Sequence, residues 1–85
     1  MLHARKDYDR IQDPDNKIGK DEPVFIVRAK DVFSIKAMEA WADAALFEGD
    51  VQFDEGLKEM AAMVYEHIAK TIRWQNQNGC RNPDL

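Results

Sequence analysis

Apolar residues recur at helical spacing in two segments of the chain and predict two helices. The first is expected over residues 34–48, where one face carries only apolar side chains and the other is mostly polar. The apolar face consists of Ile35, Met38, Trp41, Ala42, Ala45 and Leu46, and the opposite face carries Lys36, Glu39, Ala40 and Asp43. Ser34 is predicted to cap the amino end through its hydroxyl, and Gly49 is predicted to end the helix.

The second helix is expected over residues 51–76, beginning near Asp50 or Asp54 and continuing to about Asn76. Its apolar stripe consists of Phe53, Leu57, Met60, Ala61, Val64, Ile68, Thr71 and Ile72. Residues 77–85 are polar and contain a glycine and a proline, so we expect a frayed or docked tail. Trp41 and Trp74 are interpreted as core or interface anchors.

One β-strand is predicted, over residues 23–30. The run VFIVRA is β-branched and aromatic, and it lies between Pro23 and Asp31. Because Val24 to Val27 place apolar side chains on both faces, both faces should be covered by protein. Residues 1–22 are expected to be extended and rich in turns, because the stretch QDPDNKIGKDEP, residues 12–23, contains two prolines, a glycine and several Asx residues.

These elements predict a single domain of the α+β class, mostly α, with an extended N-terminal segment, one short strand and an antiparallel two-helix hairpin. A lone strand needs a partner for its backbone groups. We favour pairing across an oligomer interface, while a stretch within residues 1–20 is the alternative. Because so small a domain buries little apolar surface, a dimer or a higher even-numbered oligomer is expected.

Composition narrows the class of protein. The chain has 85 residues, 45% of them hydrophobic, and no apolar run reaches the roughly 18 residues of a membrane span. The N-terminus lacks the apolar core of a secretory signal, and the single cysteine, Cys80, excludes an intrachain disulfide. A cytoplasmic location is therefore expected.

Charge is distributed unevenly along the chain. Residues 37–69 carry one Lys against eight Asp and Glu, whereas residues 1–36 carry eight Lys and Arg against seven acids. The acidic centre makes duplex DNA an unlikely partner. A small basic pocket built from the N-terminal third is still compatible with this distribution of charge. The acids themselves are typical of a solvated helix face.

The chemical inventory argues against an enzyme. The chain has one serine, one threonine and one cysteine as candidate nucleophiles: Ser34, Thr71 and Cys80. Neither histidine, His3 or His67, is close in sequence to one of them in a pattern typical of a nucleophile and its base. The histidines also lack the spacing of a zinc site, and the four glycines are too scattered for a phosphate-binding loop. We therefore expect no catalytic residues, no metal site and no cofactor.

A basic cluster is the one candidate binding site. Its members are Arg5, Lys6, Tyr8, Arg10, Arg28 and Lys30. Cations beside a phenol ring suit an anionic, planar ligand such as a nucleotide, because they supply charge for a phosphate and a flat face for a base. The alternative is that Arg28 and Lys30 form ordinary salt bridges with neighbouring acids.

The segments ARKDYDRIQDP, DEPVFIVRAKD and AMEAWADAA resemble small proteins encoded by bacteriophages and prophages, over about the first half of the chain. The resemblance implies a protein of a bacterial host cell that counters host defence, and it transfers no catalytic residues. Two hypotheses follow. The protein sequesters a nucleotide second messenger at subunit interfaces of a homo-oligomer, or its acidic hairpin binds and inhibits a host defence protein as a nucleic-acid mimic.

Overall fold

Two helices form most of the protein in a computed structural model, which describes residues 14–82 and the backbone of Leu2–His3. Helix α1 spans Ser34–Gln52 and helix α2 spans Glu55–Asn78. Two short strands, β1 (Leu2–His3) and β2 (Pro23–Val24), form a parallel ladder in which Leu2 pairs with Pro23 and His3 with Val24. The predicted fold class, a mostly α protein with a helical hairpin, is confirmed.

The predicted strand over residues 23–30 is wrong in its length, because only Pro23 and Val24 lie in it. The carbonyls of Arg28, Ala29 and Lys30 do not pair with β1. They accept hydrogen bonds from the Asp31 amide, the Gln75 side chain and the Arg81 amide, respectively. Phe25 is also exposed within the single chain, whereas both faces of the predicted strand were expected to be covered by protein. The ladder that does form uses Leu2–His3, which lies in the alternative range of residues 1–20. Pairing across an oligomer interface stays a prediction.

Helix α1 begins differently from the prediction. Ser34 is its first residue rather than its cap, and it is completely buried. Phe33 takes the cap position without a side-chain hydrogen bond. Asp31 holds the turn before the helix, because its Oδ1 accepts from the Phe33 amide at 2.7 Å and its carbonyl accepts from the Ser34 amide at 3.0 Å. The Ser34 hydroxyl accepts from Gln75 of α2. A buried hydroxyl needs such a partner, and the opposite helix supplies it.

Gly49 does not end α1, which continues to Gln52. It is buried where the helices meet, and a Cβ there would lie 2.8 Å from Lys58 Cγ and 3.3 Å from the Asp54 carbonyl. The glycine therefore permits close approach of the helices. Phe53, with φ at 53°, makes the left-handed turn, and Asp54 then caps α2 by accepting from the Leu57 amide at 3.1 Å. The alternative start of the second helix at Asp54 is confirmed.

The core between the helices consists of small side chains. Its buried apolar members are Ala42, Ala45, Ala61 and Ile68, joined by the polar Ser34 and Thr71. Both tryptophans lie at the margin of the core: Trp41 is 46% and Trp74 41% exposed, so Trp41 is not a core residue in the single chain. Alanines and a glycine let the two backbones approach, which leaves no space for an indole between them.

Two polar contacts hold one edge of the hairpin together. The Tyr65 hydroxyl donates to the Asp43 carboxylate, and Lys58 lies 3.1 Å from Asp50 and 3.4 Å from Glu55. These contacts place Asp43 and Asp50 on the same side of α1, beside α2. Asp43 is exposed, as predicted, and it also contacts α2 at the edge of the hairpin.

The Tyr65–Asp43 contact predicts a pH dependence. The hydrogen bond to Asp43, then desolvation and the charges of Asp43 and Glu39, raise the pKa of Tyr65 above its ordinary value of 10.0. Because the folded state favours the neutral phenol, this contact stabilises fully below the ordinary pKa, and its contribution is lost as pH rises through the raised one. Phenolate absorbance compared between wild type and Tyr65→Phe should show Tyr65 titrating above 10.0. An unshifted titration, or one unchanged in Asp43→Asn, would contradict it.

Candidate functional site

The carboxyl end of α2 is joined to the segment before α1 by the C-terminal tail. Gly79, with φ at 79°, turns the chain after Asn78, and its amide donates to the Gln75 carbonyl at 2.7 Å. The tail then runs beside residues 30–32: the Arg81 amide donates to the Lys30 carbonyl at 2.7 Å, and the Val32 amide donates to the Arg81 carbonyl at 3.0 Å. These two backbone bonds fix Arg81 next to Lys30.

Gln75 holds the same junction from inside the hairpin. Its Nε2 donates to the Ala29 carbonyl at 2.7 Å and to the Ser34 hydroxyl at 3.2 Å. Both acceptors are more than 40 residues away in the chain. A single side chain of α2 therefore positions the segment that carries Lys30.

A pocket of about 250 Å³ lies at this junction. It is lined by Lys30, Trp74, Asn78, Gly79, Cys80 and Arg81. Lys30 is half-buried and forms no ion pair with the residues that the structure describes, while Trp74 exposes 41% of its surface. The pocket therefore combines two cationic side chains with an aromatic ring, and it is open to solvent.

This combination suits a small anion that carries a ring. Lys30 and Arg81 can pair with a phosphate or carboxylate, the arginine through two parallel hydrogen bonds. The Trp74 indole offers a stacking surface. The volume lies just below the roughly 300–1,000 Å³ usual for small-molecule sites. The pocket therefore has room for one ring and its anionic group, with the remainder of a larger ligand in solvent.

The negative end of the α2 dipole lies near this pocket and would disfavour an anion. One of the last four carbonyls, that of Gln75, is occupied because it accepts from the Gly79 amide at 2.7 Å. Its occupation reduces the negative potential that a bound anion would meet. The charge of Lys30 alone, a full unit, exceeds the half-charge of the helix end.

The predicted site is only partly brought together. Arg5, Lys6, Tyr8 and Arg10 lie outside the described residues. Lys30 lines the pocket, whereas Arg28 is exposed and is not among its lining residues. Neither Arg28 nor Lys30 lies in a strand, although the strand predicted over residues 23–30 included both.

Sequence reasoning missed Trp74 and Arg81 as site residues. The available signal was the Asn-Gly pair before Cys80 and Arg81, which is typical of a sharp turn after a helix. That signal predicts a turn but not where the tail goes next. The docking of Arg81 on Lys30 depends on contacts between segments about 50 residues apart.

The remaining candidate nucleophiles make structural contacts or lie in the tail. The buried Thr71 hydroxyl donates to the His67 carbonyl at 2.9 Å, and the Ser34 hydroxyl accepts from Gln75. Cys80 is a free, exposed thiol at the pocket. Among residues 14–82 no group of three or more His, Cys, Asp or Glu could hold a metal ion. The absence of enzymatic activity stays a prediction.

No family model, curated protein or solved structure matches this chain. The resemblance to phage proteins therefore stays a prediction, and the arguments for function depend on the site. Neither helix of the described part of the chain is long and apolar enough to cross a membrane.

Proposed function

We propose that the protein binds an anionic, nucleotide-like small molecule in the pocket at the end of α2 and thereby sequesters it. The observation that carries the proposal is the placement of Lys30 and Arg81 beside the Trp74 ring around one cavity. The two cations would contact a phosphate and the indole would stack on a base. Stacking of a base on an aromatic side chain contributes about 1–3 kcal/mol.

Sequestration of a nucleotide second messenger is the role that this binding would support in a bacterial host cell. It agrees with the resemblance to phage proteins and with a non-enzymatic protein of the cytoplasm. Binding at subunit interfaces of a homo-oligomer stays a prediction.

Isothermal titration with a panel of mononucleotides and cyclic dinucleotides tests the proposal. Arg81→Ala and Lys30→Ala should each reduce affinity at least tenfold, because charge-assisted hydrogen bonds contribute about 1.5–3 kcal/mol. Arg81→Lys should restore part of the loss, since it keeps the charge without the bidentate geometry. The backbone bonds of Arg81 remain in all these variants.

Lys70→Ala is the matched control, because Lys70 is an exposed lysine of α2 that does not line the pocket. It should bind as wild type does. Trp74→Ala should also lose affinity, and Trp74 fluorescence in a Trp41→Phe background should respond to ligand. Binding to no nucleotide, or equal losses in Lys70→Ala and Lys30→Ala, would contradict the proposal.

A second candidate is an acidic surface that binds a basic host defence protein. Lys58 pairs with Asp50 and Glu55, and the hairpin also exposes Glu39, Glu48, Glu59 and Glu66. Under this alternative Glu59→Lys with Glu66→Lys would abolish activity in cells, and Arg81→Ala would have no effect. Asp43 is unsuitable for this test because it accepts the Tyr65 hydrogen bond.

A further inference from the structure

Helix α1 carries a second apolar stripe on the side that faces away from α2. Its members are spaced three or four residues apart: Ala37, Ala40, Ala44, Phe47 and Val51. All five are exposed, with Phe47 at 67% and Val51 at 58%. At about 100° per residue they lie opposite the buried Ala42, Ala45 and Gly49. We define these five residues as the outer stripe.

The spacing of the outer stripe is that of a helix–helix seam rather than of a solvated face. Alternation of three and four residues keeps side chains aligned along a partner helix over several turns. A solvated face would instead carry charges, as the outer face of α2 does with Glu55, Glu59 and Glu66. The exposed apolar area therefore indicates an interface.

We propose that a second copy of the chain covers the outer stripe, with the two α1 helices antiparallel about a twofold axis. In this register Ala40 of one copy lies opposite Ala44 of the other, and Ala37 lies opposite Phe47. Small side chains thus meet small ones at the centre, and small meets large towards the ends. A parallel pair would place Phe47 on Phe47 and alanine on alanine, which would splay the helices at one end.

Charge complementarity selects the same arrangement. Lys36 and Asp50 lie on one flank of the outer stripe, near opposite ends of α1. The antiparallel register brings Lys36 of each copy to Asp50 of the other, so two identical ion pairs form. Asp50 is 62% exposed although it contacts Lys58, so it can accept a second cation. A parallel register keeps Lys36 and Asp50 at different ends of the helix pair and forms neither ion pair.

The remaining flanking residues agree with a twofold axis at the level of Ala42. Trp41, on the other flank, meets its own copy, which would cover an indole that is 46% exposed in the single chain. Asp43 also approaches its own copy, at the edge of the interface where water and salt screen the repulsion. The same patch on both chains forms the contact, as a twofold dimer requires. The inference does not depend on the ligand of the pocket.

Sedimentation equilibrium tests the surface. Wild type should have twice the chain mass of 9.8 kDa at micromolar concentration, and Ala44→Glu should weaken self-association at least a hundredfold. Ala62→Glu is the control, because Ala62 is an exposed alanine of α2, and it should remain dimeric. Circular dichroism should show that both variants keep their helices. A monomeric wild type, or a dimeric Ala44→Glu, would overturn the proposal.

A mixing experiment tests the register. Lys36→Glu and Asp50→Lys should each dimerise more weakly than wild type, because each places like charges opposite one another. An equimolar mixture should recover tighter association, since both contacts of the hybrid dimer again join opposite charges. In that hybrid the two substituted side chains face each other, and the native Lys36 of one copy faces the native Asp50 of the other. Recovery supports the antiparallel arrangement, and no recovery overturns it.

Discussion

Ile68→Ala is expected to unfold the hairpin or bring it close to unfolding. Ile68 is only 7% exposed and is the largest apolar side chain in the buried core. Removing a buried isoleucine costs about 2–5 kcal/mol, through lost burial and the cavity left behind. A domain of this length has a stability of about 4–13 kcal/mol. Urea unfolding followed by circular dichroism should show a large fall in midpoint.

The chain offers a matched control for this substitution. Ile72 lies one helical turn further along α2 and is 42% exposed. Ile72→Ala removes the same atoms from a partly solvated position, so it should cost less than half as much as Ile68→Ala. Equal midpoints for the two variants would show that the core does not lie along Ala61, Ile68 and Thr71.

Gln75→Leu is expected to release the junction between the two chain ends while leaving the helices formed. The substitution keeps most of the side-chain volume but removes both hydrogen bonds, to the Ala29 carbonyl and to the buried Ser34 hydroxyl. Leaving a buried polar group without its partner costs about 1–3 kcal/mol. The free energy of unfolding measured in urea should therefore fall by on the order of 2–4 kcal/mol for the two acceptors together.

Hydrogen exchange localises the effect of this substitution. The amides of Val32 and Arg81, which pair the tail with residues 30–32, should exchange faster in Gln75→Leu. Amides in the middle of α2 should change only by the global loss of stability. Gln77→Leu, at an exposed neighbouring glutamine, should have neither effect. Undiminished protection at Val32 and Arg81 would mean that the tail is held independently of Gln75.

The helical part of the fold could be predicted from local sequence because its causes are local. Apolar spacing over residues 34–48 and 51–76 indicated two helices, and Asp54 supplied a side chain that can cap an amino end. The end of the second helix was predicted near Asn76, two residues before its last residue, Asn78. Each of these signals depends on residues close together in the chain, so no knowledge of the packing was needed.

Which apolar residues are buried could not be predicted from the same spacing. Helix α1 is apolar on two sides, and periodicity alone does not say which side faces α2. The alanines and Gly49 lie inside because they allow close approach of the backbones, and Trp41 was therefore displaced to the margin. The outer stripe was overlooked for the same reason, since Ala40 was assigned to a polar face.

The chain alone thus determined a small, mostly α protein with a helical hairpin, an acidic middle and basic residues in its first and last segments. Tertiary structure decided which of those basic residues meet. Lys30 and Arg81 are adjacent only because Gly79 turns the tail back, Gln75 anchors Ala29 and Ser34, and backbone bonds join Arg81 to Lys30 and Val32. Such contacts join segments about 50 residues apart, and their partners are backbone groups, which every residue carries and which therefore leave no signal in the sequence.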